Sequence, residues 1–76
     1  MNTTRVGIKT EFIKLDQFLK FVGIAESGSY AKMMIFDGIV SVNGEICIQR
    51  GKKLYPDDII GIADHEEIFK VIKEEE

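Results

Sequence analysis

The dipeptide Asn43-Gly44 lies between two β-prone runs, Val40-Ser41-Val42 and Glu45-Ile46-Cys47. Asn and Gly tolerate the positive backbone angles that a two-residue type I′ turn requires at both central positions, and the twist of that turn matches the twist of paired strands. A hairpin is therefore predicted, with Val42 facing Glu45, Ser41 facing Ile46 and Val40 facing Cys47. Opposed residues share a face of the sheet, so Cys47 is expected beside Val40 on the face turned to the helices. Ile46 and Ile48 then point the other way, with no cover that the sequence identifies.

A lone hairpin is marginal in water and must be covered by other elements. Upstream, Leu15, Phe18, Leu19 and Val22 fall at i, i+3, i+4 and i+7, one face of a helix. Asp16 sits in its first turn, where the helix dipole favours negative charge, and Gly23 is placed to end it. Ser27 is a good N-cap for a second helix, with Ala31, Met34 and Ile35 facing inward, Lys32 facing outward and Gly38 at its end. The pair Met33-Met34 reads as core filling. Arg5 to Lys9 is predicted as a strand from the alternation of Val6 and Ile8, and Thr10 to Lys14 as a connection. After the hairpin come a basic loop, Gln49-Arg50-Gly51-Lys52-Lys53, and a turn, Tyr55-Pro56-Asp57-Asp58. Two further strands follow, Ile59 to Ala63 and Ile68 to Ile72, joined by Asp64-His65-Glu66-Glu67. An acidic tail closes the chain at 73–76, with Glu74-Glu75-Glu76 expected to be disordered. The fold class is α+β, two helices packed on a small, mostly antiparallel sheet. Its expected core is Leu15, Phe18, Leu19, Val22, Ala31, Met34, Ile35, Val40, Val42, Leu54 and Ile59.

At 76 residues the chain suffices for one domain, read here as 1–76. No apolar run approaches the ~20 residues that cross a bilayer, and the first residues do not lead into a signal-type apolar stretch, so a cytoplasmic location without membrane attachment is expected. A single cysteine, Cys47, excludes an internal disulfide and fits a reducing compartment. The acidic residues lack the spacing of a calcium loop, there is no zinc pattern, and the glycines form no nucleotide fingerprint. His65, the one histidine, lies in an acidic turn, and Cys47 has no histidine near it in sequence. No catalytic residue, metal or cofactor is expected, nor a small-molecule substrate. The net charge is −3, but its distribution is uneven. Residues 1–53 carry eight Lys/Arg and five Asp/Glu, a balance of +3, and residues 54–76 carry two and eight, a balance of −6. Such a chain can present a local positive face despite its acidic total.

These pieces, in this order and spacing, resemble the RNA-binding domain family of ribosomal small-subunit protein four, the S-four-like or alpha-L motif. Lys14-Leu15-Asp16 stands where that family usually has Arg-Leu-Asp, and Ser27 followed by Ala31-Lys32 where it has Ser and then Ala-Arg. Gly38 with Val42-Asn43-Gly44 fits its second helix end and hairpin. Lys53-Leu54, then Asp58-Ile59-Ile60, fits its closing segment. The resemblance covers 12–60 and is nearest to small stand-alone bacterial members linked to ribosome maturation. It implies recognition of structured RNA, ribosomal RNA foremost, by shape and backbone. Two positions depart from the pattern: Gly28, where many members carry Arg, and Lys14, where the usual Arg would offer a planar fork for phosphate.

The resemblance places Lys14 and Lys32 on one surface, which Arg50, Lys52 and Lys53 extend from the loop. Neutralising RNA phosphates releases counterions, the physical basis of such a site. The N–H groups of Gly28 and Ser29 at the start of the second helix are suited to hold a phosphate. Gln17, Ser29 and Tyr30 can add hydrogen bonds or stacking. Ser27 is a cap first and a ligand second, and Asn43 is a turn residue first and an RNA contact second. Lys20 reads as solvated surface. Two rival readings are a protein-interaction module on the ribosome and an accessory partner of an RNA-modifying enzyme.

Overall fold

The computed structural model describes residues 2–63 and 65–74. In chain order its elements are β1 (Asn2–Ile8), β2 (Ile13–Lys14), α1 (Leu15–Phe21), α2 (Gly28–Phe36), β3 (Val40–Val42), β4 (Glu45–Ile46), β5 (Lys53–Leu54), β6 (Ile59–Ile62) and β7 (Glu67–Lys73). Five strands form one sheet in the order β1-β7-β6-β3-β4, and β2 and β5 form a separate two-stranded sheet. All pairings are antiparallel except β1 with β7, which is parallel.

The hairpin has its expected geometry. Asn43 and Gly44 take φ of 53° and 87°, Ser41 pairs with Ile46 and Val42 with Glu45, and the Cys47 N–H donates to the Val40 carbonyl at 2.9 Å. Cys47 is half-buried against the core, while Ile46 and Ile48 stay exposed. Both helices also match their periodicity. Leu15, Phe18 and Leu19 of α1 and Ala31, Met34 and Ile35 of α2 are buried, and the Ser27 hydroxyl accepts from the Tyr30 N–H at 3.1 Å. They cover one face of the large sheet, where Val6, Ile8, Val40, Val42, Ile60, Ile62, Phe69 and Val71 are buried. Phe18 meets Phe69 edge to face, with ring centroids 6.0 Å apart.

Several expectations need correction. The first strand begins at Asn2 rather than Arg5. Its polar start is tolerated because β1 is an edge strand with one row of side chains facing water, Thr3 and Arg5 among them. The supposed connection at Thr10–Lys14 contains β2, and Lys53 of the supposed basic loop lies in β5. Ile59 is only half-buried, and Ile60 takes the core position. The hairpin tip sets this parity: the Asn43 N–H donates to the Ile59 carbonyl at 2.7 Å, the Ile59 N–H donates to Asn43 Oδ1 at 2.9 Å, and Val42 then stands opposite Ile60. Met33 is exposed while Met34 is buried, because consecutive residues on a helix face different ways. Val22 is the α1 C-cap and only half-buried. The last two strands are Ile59–Ile62 and Glu67–Lys73, so Lys73 belongs to a strand. Glu74 is not a free tail residue, since its N–H donates to the Ile8 carbonyl at 2.8 Å. Asp64, Glu75 and Glu76 lie outside the described residues.

Candidate nucleic-acid interface

The first N–H groups of a helix have no partner within it. In α1 the N-cap residue, Lys14, makes no side-chain cap. The basic loop fills that role with its backbone. The Leu15 N–H donates to the Lys52 carbonyl at 2.8 Å and the Asp16 N–H to the Arg50 carbonyl at 3.1 Å. The Gln17 N–H turns to Asp16 Oδ1 at 2.8 Å. A need for hydrogen bonds at the start of α1 thus draws Arg50 and Lys52 to the place where Lys14 enters the helix.

The β2–β5 ladder completes the cluster, because Lys14 and Lys53 are directly opposed in it. Opposed side chains lie on one face about 5 Å apart at Cβ, and like charges there are destabilising. Among the described residues neither lysine is ion-paired; the ion pairs are Arg50 with Asp16 at 3.6 Å and Lys70 with Asp57 at 3.8 Å. Lys14 and Lys53 are exposed. Two lysines without a carboxylate partner, opposed in register, with the Lys53 ammonium resting over the Phe12 ring, form an anion-attracting point.

Arg50 is partly committed elsewhere. Its guanidinium faces the largely covered Asp16 carboxylate, although its own side chain is 57% exposed. Lys32 is carried by α2, exposed, with Nζ 5.8 Å from the Phe36 ring centroid. The α2 N-terminus is open. Ser27 uses its hydroxyl on Tyr30 and its carbonyl on the Ala31 N–H, which leaves the Gly28 and Ser29 N–H groups to solvent or a ligand. Nothing lies within 4 Å of a Cβ placed on Gly28, so the position would also accept a larger residue. Tyr30 is exposed on the same turn. Gln17 is exposed on α1, and a shallow depression groups it with Ile13, Lys20 and Phe21.

Asn43 has a structural task. Its Nδ2 donates to Asp58 Oδ1 at 3.0 Å while its Oδ1 accepts from the Ile59 N–H. Asp58 in turn accepts from the Tyr55 N–H at 2.8 Å. This network ties the hairpin tip to the turn before β6 and leaves the Asn43 amide little capacity for a ligand. Beside the tip, an open cleft of ≈ 440 Å³ runs from Asn43 and Glu45 to Gln49 and Lys52. Cys47 Sγ lies 3.7 Å from the Gln49 carbonyl, and His65 is exposed.

Sequence reasoning missed Phe12 and Tyr55, which flank the lysine pair with their rings in contact. The signal was available: Phe12-Ile13-Lys14 and Lys53-Leu54-Tyr55 are near mirror images, as two antiparallel strands with matched faces require.

A pair of helices and a hairpin framing a cationic two-stranded ladder define a small α+β module built to meet an anionic partner. Residues 6–72 match a family model described as the S4 domain, and the chain belongs to that family. It is 42% identical over 57 residues to a Bacillus subtilis (strain 168) protein named "Probable ribosome maturation protein RlbA", a stretch covering 75% of this chain and 80% of that protein. Among solved structures it is similar to YbcJ from E. coli, described as an alpha-L motif involved in RNA binding, with a TM-score of 0.65 and 30% identity over 95% of this chain and 87% of that one.

Proposed function

We propose that this chain binds structured RNA, ribosomal RNA foremost, through the surface that begins at Lys14 and Lys53 and continues through Lys52 and Arg50. The α2 start, with Gly28, Ser29, Tyr30 and Lys32, extends it. The registered lysine pair carries this reading, because a like-charge pair costs stability unless an anion sits on it. YbcJ's description as an RNA-binding motif supports the ligand class, and the name given to RlbA supports a role in ribosome maturation. The task is binding rather than catalysis: recognition by backbone and shape needs donors and cations at fixed spacing, which this surface supplies. Among the described residues, no helix is long and apolar enough to cross a membrane.

The test is the salt dependence of RNA affinity. With ~4–5 phosphates neutralised, log K is expected to fall with log salt at a slope of about −3 to −4. A flat response rejects the proposal. The double change Lys32→Glu, Lys53→Glu is expected to abolish most of the affinity in a folded protein, and unaltered affinity would remove this surface from consideration.

One observation favours a second contact, with protein. Met33, Phe36, Ile46 and Ile48 are all more than half exposed, and Ile46 approaches the end of α2, 3.8 Å from where a Cβ on Gly38 would stand. Association with ribosomes that survives both RNase and high salt would assign that patch to a protein partner.

A further inference from the structure

The β2–β5 ladder pairs Ile13 with Leu54 and Lys14 with Lys53. Side chains alternate between the two faces of a strand. Ile13 and Leu54 therefore share one face, and their chain neighbours Phe12, Lys14, Lys53 and Tyr55 share the other. The first face is internal: Leu54 is fully buried and Ile13 packs on the core. On the second, the Phe12 and Tyr55 ring centroids are 5.9 Å apart with planes tilted by 50°, and Lys53 Nζ lies 4.8 Å from the Phe12 centroid. Lys14 stands opposite Lys53 in the register, and the Lys53 ammonium reaches along the face to the Phe12 ring, so cations and rings are interleaved on one surface. Tyr55 is 43% exposed, so the part of its ring turned away from Phe12 is open to a ligand, while Asp58 holds its backbone.

We propose that this face is a nucleotide subsite, in which an unpaired base stacks on Tyr55, backed by Phe12, while the adjoining phosphate lies between the Lys14 and Lys53 ammonium groups. The inference rests on the RNA-binding reading above and names the kind of RNA: one with a bulged or looped-out nucleotide, not a uniform duplex. Bases inside a duplex are already stacked on their neighbours, whereas loops and bulges offer a free π-face. Aromatic stacking accepts any base, so the subsite selects for an unpaired base and not for its identity. The cation pair beside the rings supplies the second half of the ligand, because each base comes with a phosphate attached a few ångströms away.

Two RNA hairpins of one stem sequence test this, the first fully paired and the second with a single bulged nucleotide. The wild-type chain is expected to bind the bulged RNA about tenfold more tightly. Tyr55→Ala should lose that preference and Tyr55→Phe should keep it. The chain has two tyrosines and no tryptophan, so in a Tyr30→Phe background Tyr55 is the sole tyrosine emitter, and the bulged RNA, added to saturation of that variant, is expected to quench it. Should Tyr55→Ala unfold the domain, that titration decides alone. Equal wild-type affinity for the two RNAs, an unquenched Tyr55, or a Tyr55→Ala that weakens both RNAs alike overturns the subsite and leaves RNA binding in place. Loss of salt-dependent binding to both RNAs overturns the underlying reading as well.

Discussion

β1 and β7 pair in parallel over seven residues each, joining the two ends of the chain, whereas β2 and β5 pair over two residues each. The long ladder sends Val6, Ile8, Phe69 and Val71 into the core. The short one also buries one side, through Leu54, but its other side carries two lysines and two aromatic rings toward solvent. A two-residue ladder gains little from its own hydrogen bonds. It persists because Leu54 is in the core and because the adjoining loop caps the start of α1. Stability thus comes from the long pairing and the helices, and the short pairing is left free to carry charges toward solvent.

That contrast can be broken experimentally. Phe69→Ala, in the long ladder, should destabilise the fold by about 3–5 kcal/mol, a large share of what a domain of this size possesses, as read from urea denaturation. If the loss is under ~1 kcal/mol, the large sheet is not the main source of stability. Lys53→Glu, in the short ladder, should act on affinity instead. It places a carboxylate opposite Lys14 but takes the ammonium off the Phe12 ring, so the two effects offset and stability should stay within about 1 kcal/mol, while RNA affinity at low salt falls by roughly tenfold and the salt slope becomes shallower. A variant that loses several kcal/mol of stability would show that the short ladder is itself a main source of stability.

Smaller effects sharpen the same division. Ser27→Ala removes the cap on the Tyr30 N–H and should cost about 1 kcal/mol; a thermal melt checks it. Gly28→Arg meets no neighbour within 4 Å of the new Cβ. It should leave the melt within about 0.5 kcal/mol and strengthen RNA binding by a few-fold, steepening the salt slope by about 0.9 for one added phosphate contact. An unchanged slope would remove the α2 start from the interface. Arg50→Ala should cost no more than about 1 kcal/mol, since the Arg50 side chain is more than half exposed.

Much of this was legible in the residues because it rests on local rules. Leu15, Phe18 and Leu19 are spaced for one helical face, Ser27 caps the helix it precedes, and Asn43-Gly44 sets a register that holds residue for residue. Of the cations named for the site through the family resemblance, Lys14, Arg50, Lys52 and Lys53 meet at the start of α1, while Lys32 is carried separately on α2. What was missed depends on long-range pairing. Ile59-Ile60 are both apolar, so alternation could not choose between them, and the hydrogen bonds from Asn43 made the choice. The polar start of β1 reads as strand only once β7 lies beside it, more than sixty residues away along the chain. Asn43 and Arg50, both proposed as ligands, turned out to be engaged with Asp58 and Asp16, partners distant in sequence.

The amino-acid sequence by itself determined the helices, the hairpin and which residue types stand where, because capping, turn angles and periodicity act over a few residues. Only the tertiary structure decided which cations are neighbours. Lys14 and Lys53 are 39 residues apart and become a pair through a ladder two residues long, and that ladder exists because Leu54 and Ile13 find the core and the loop carbonyls find the unsatisfied N–H groups of α1.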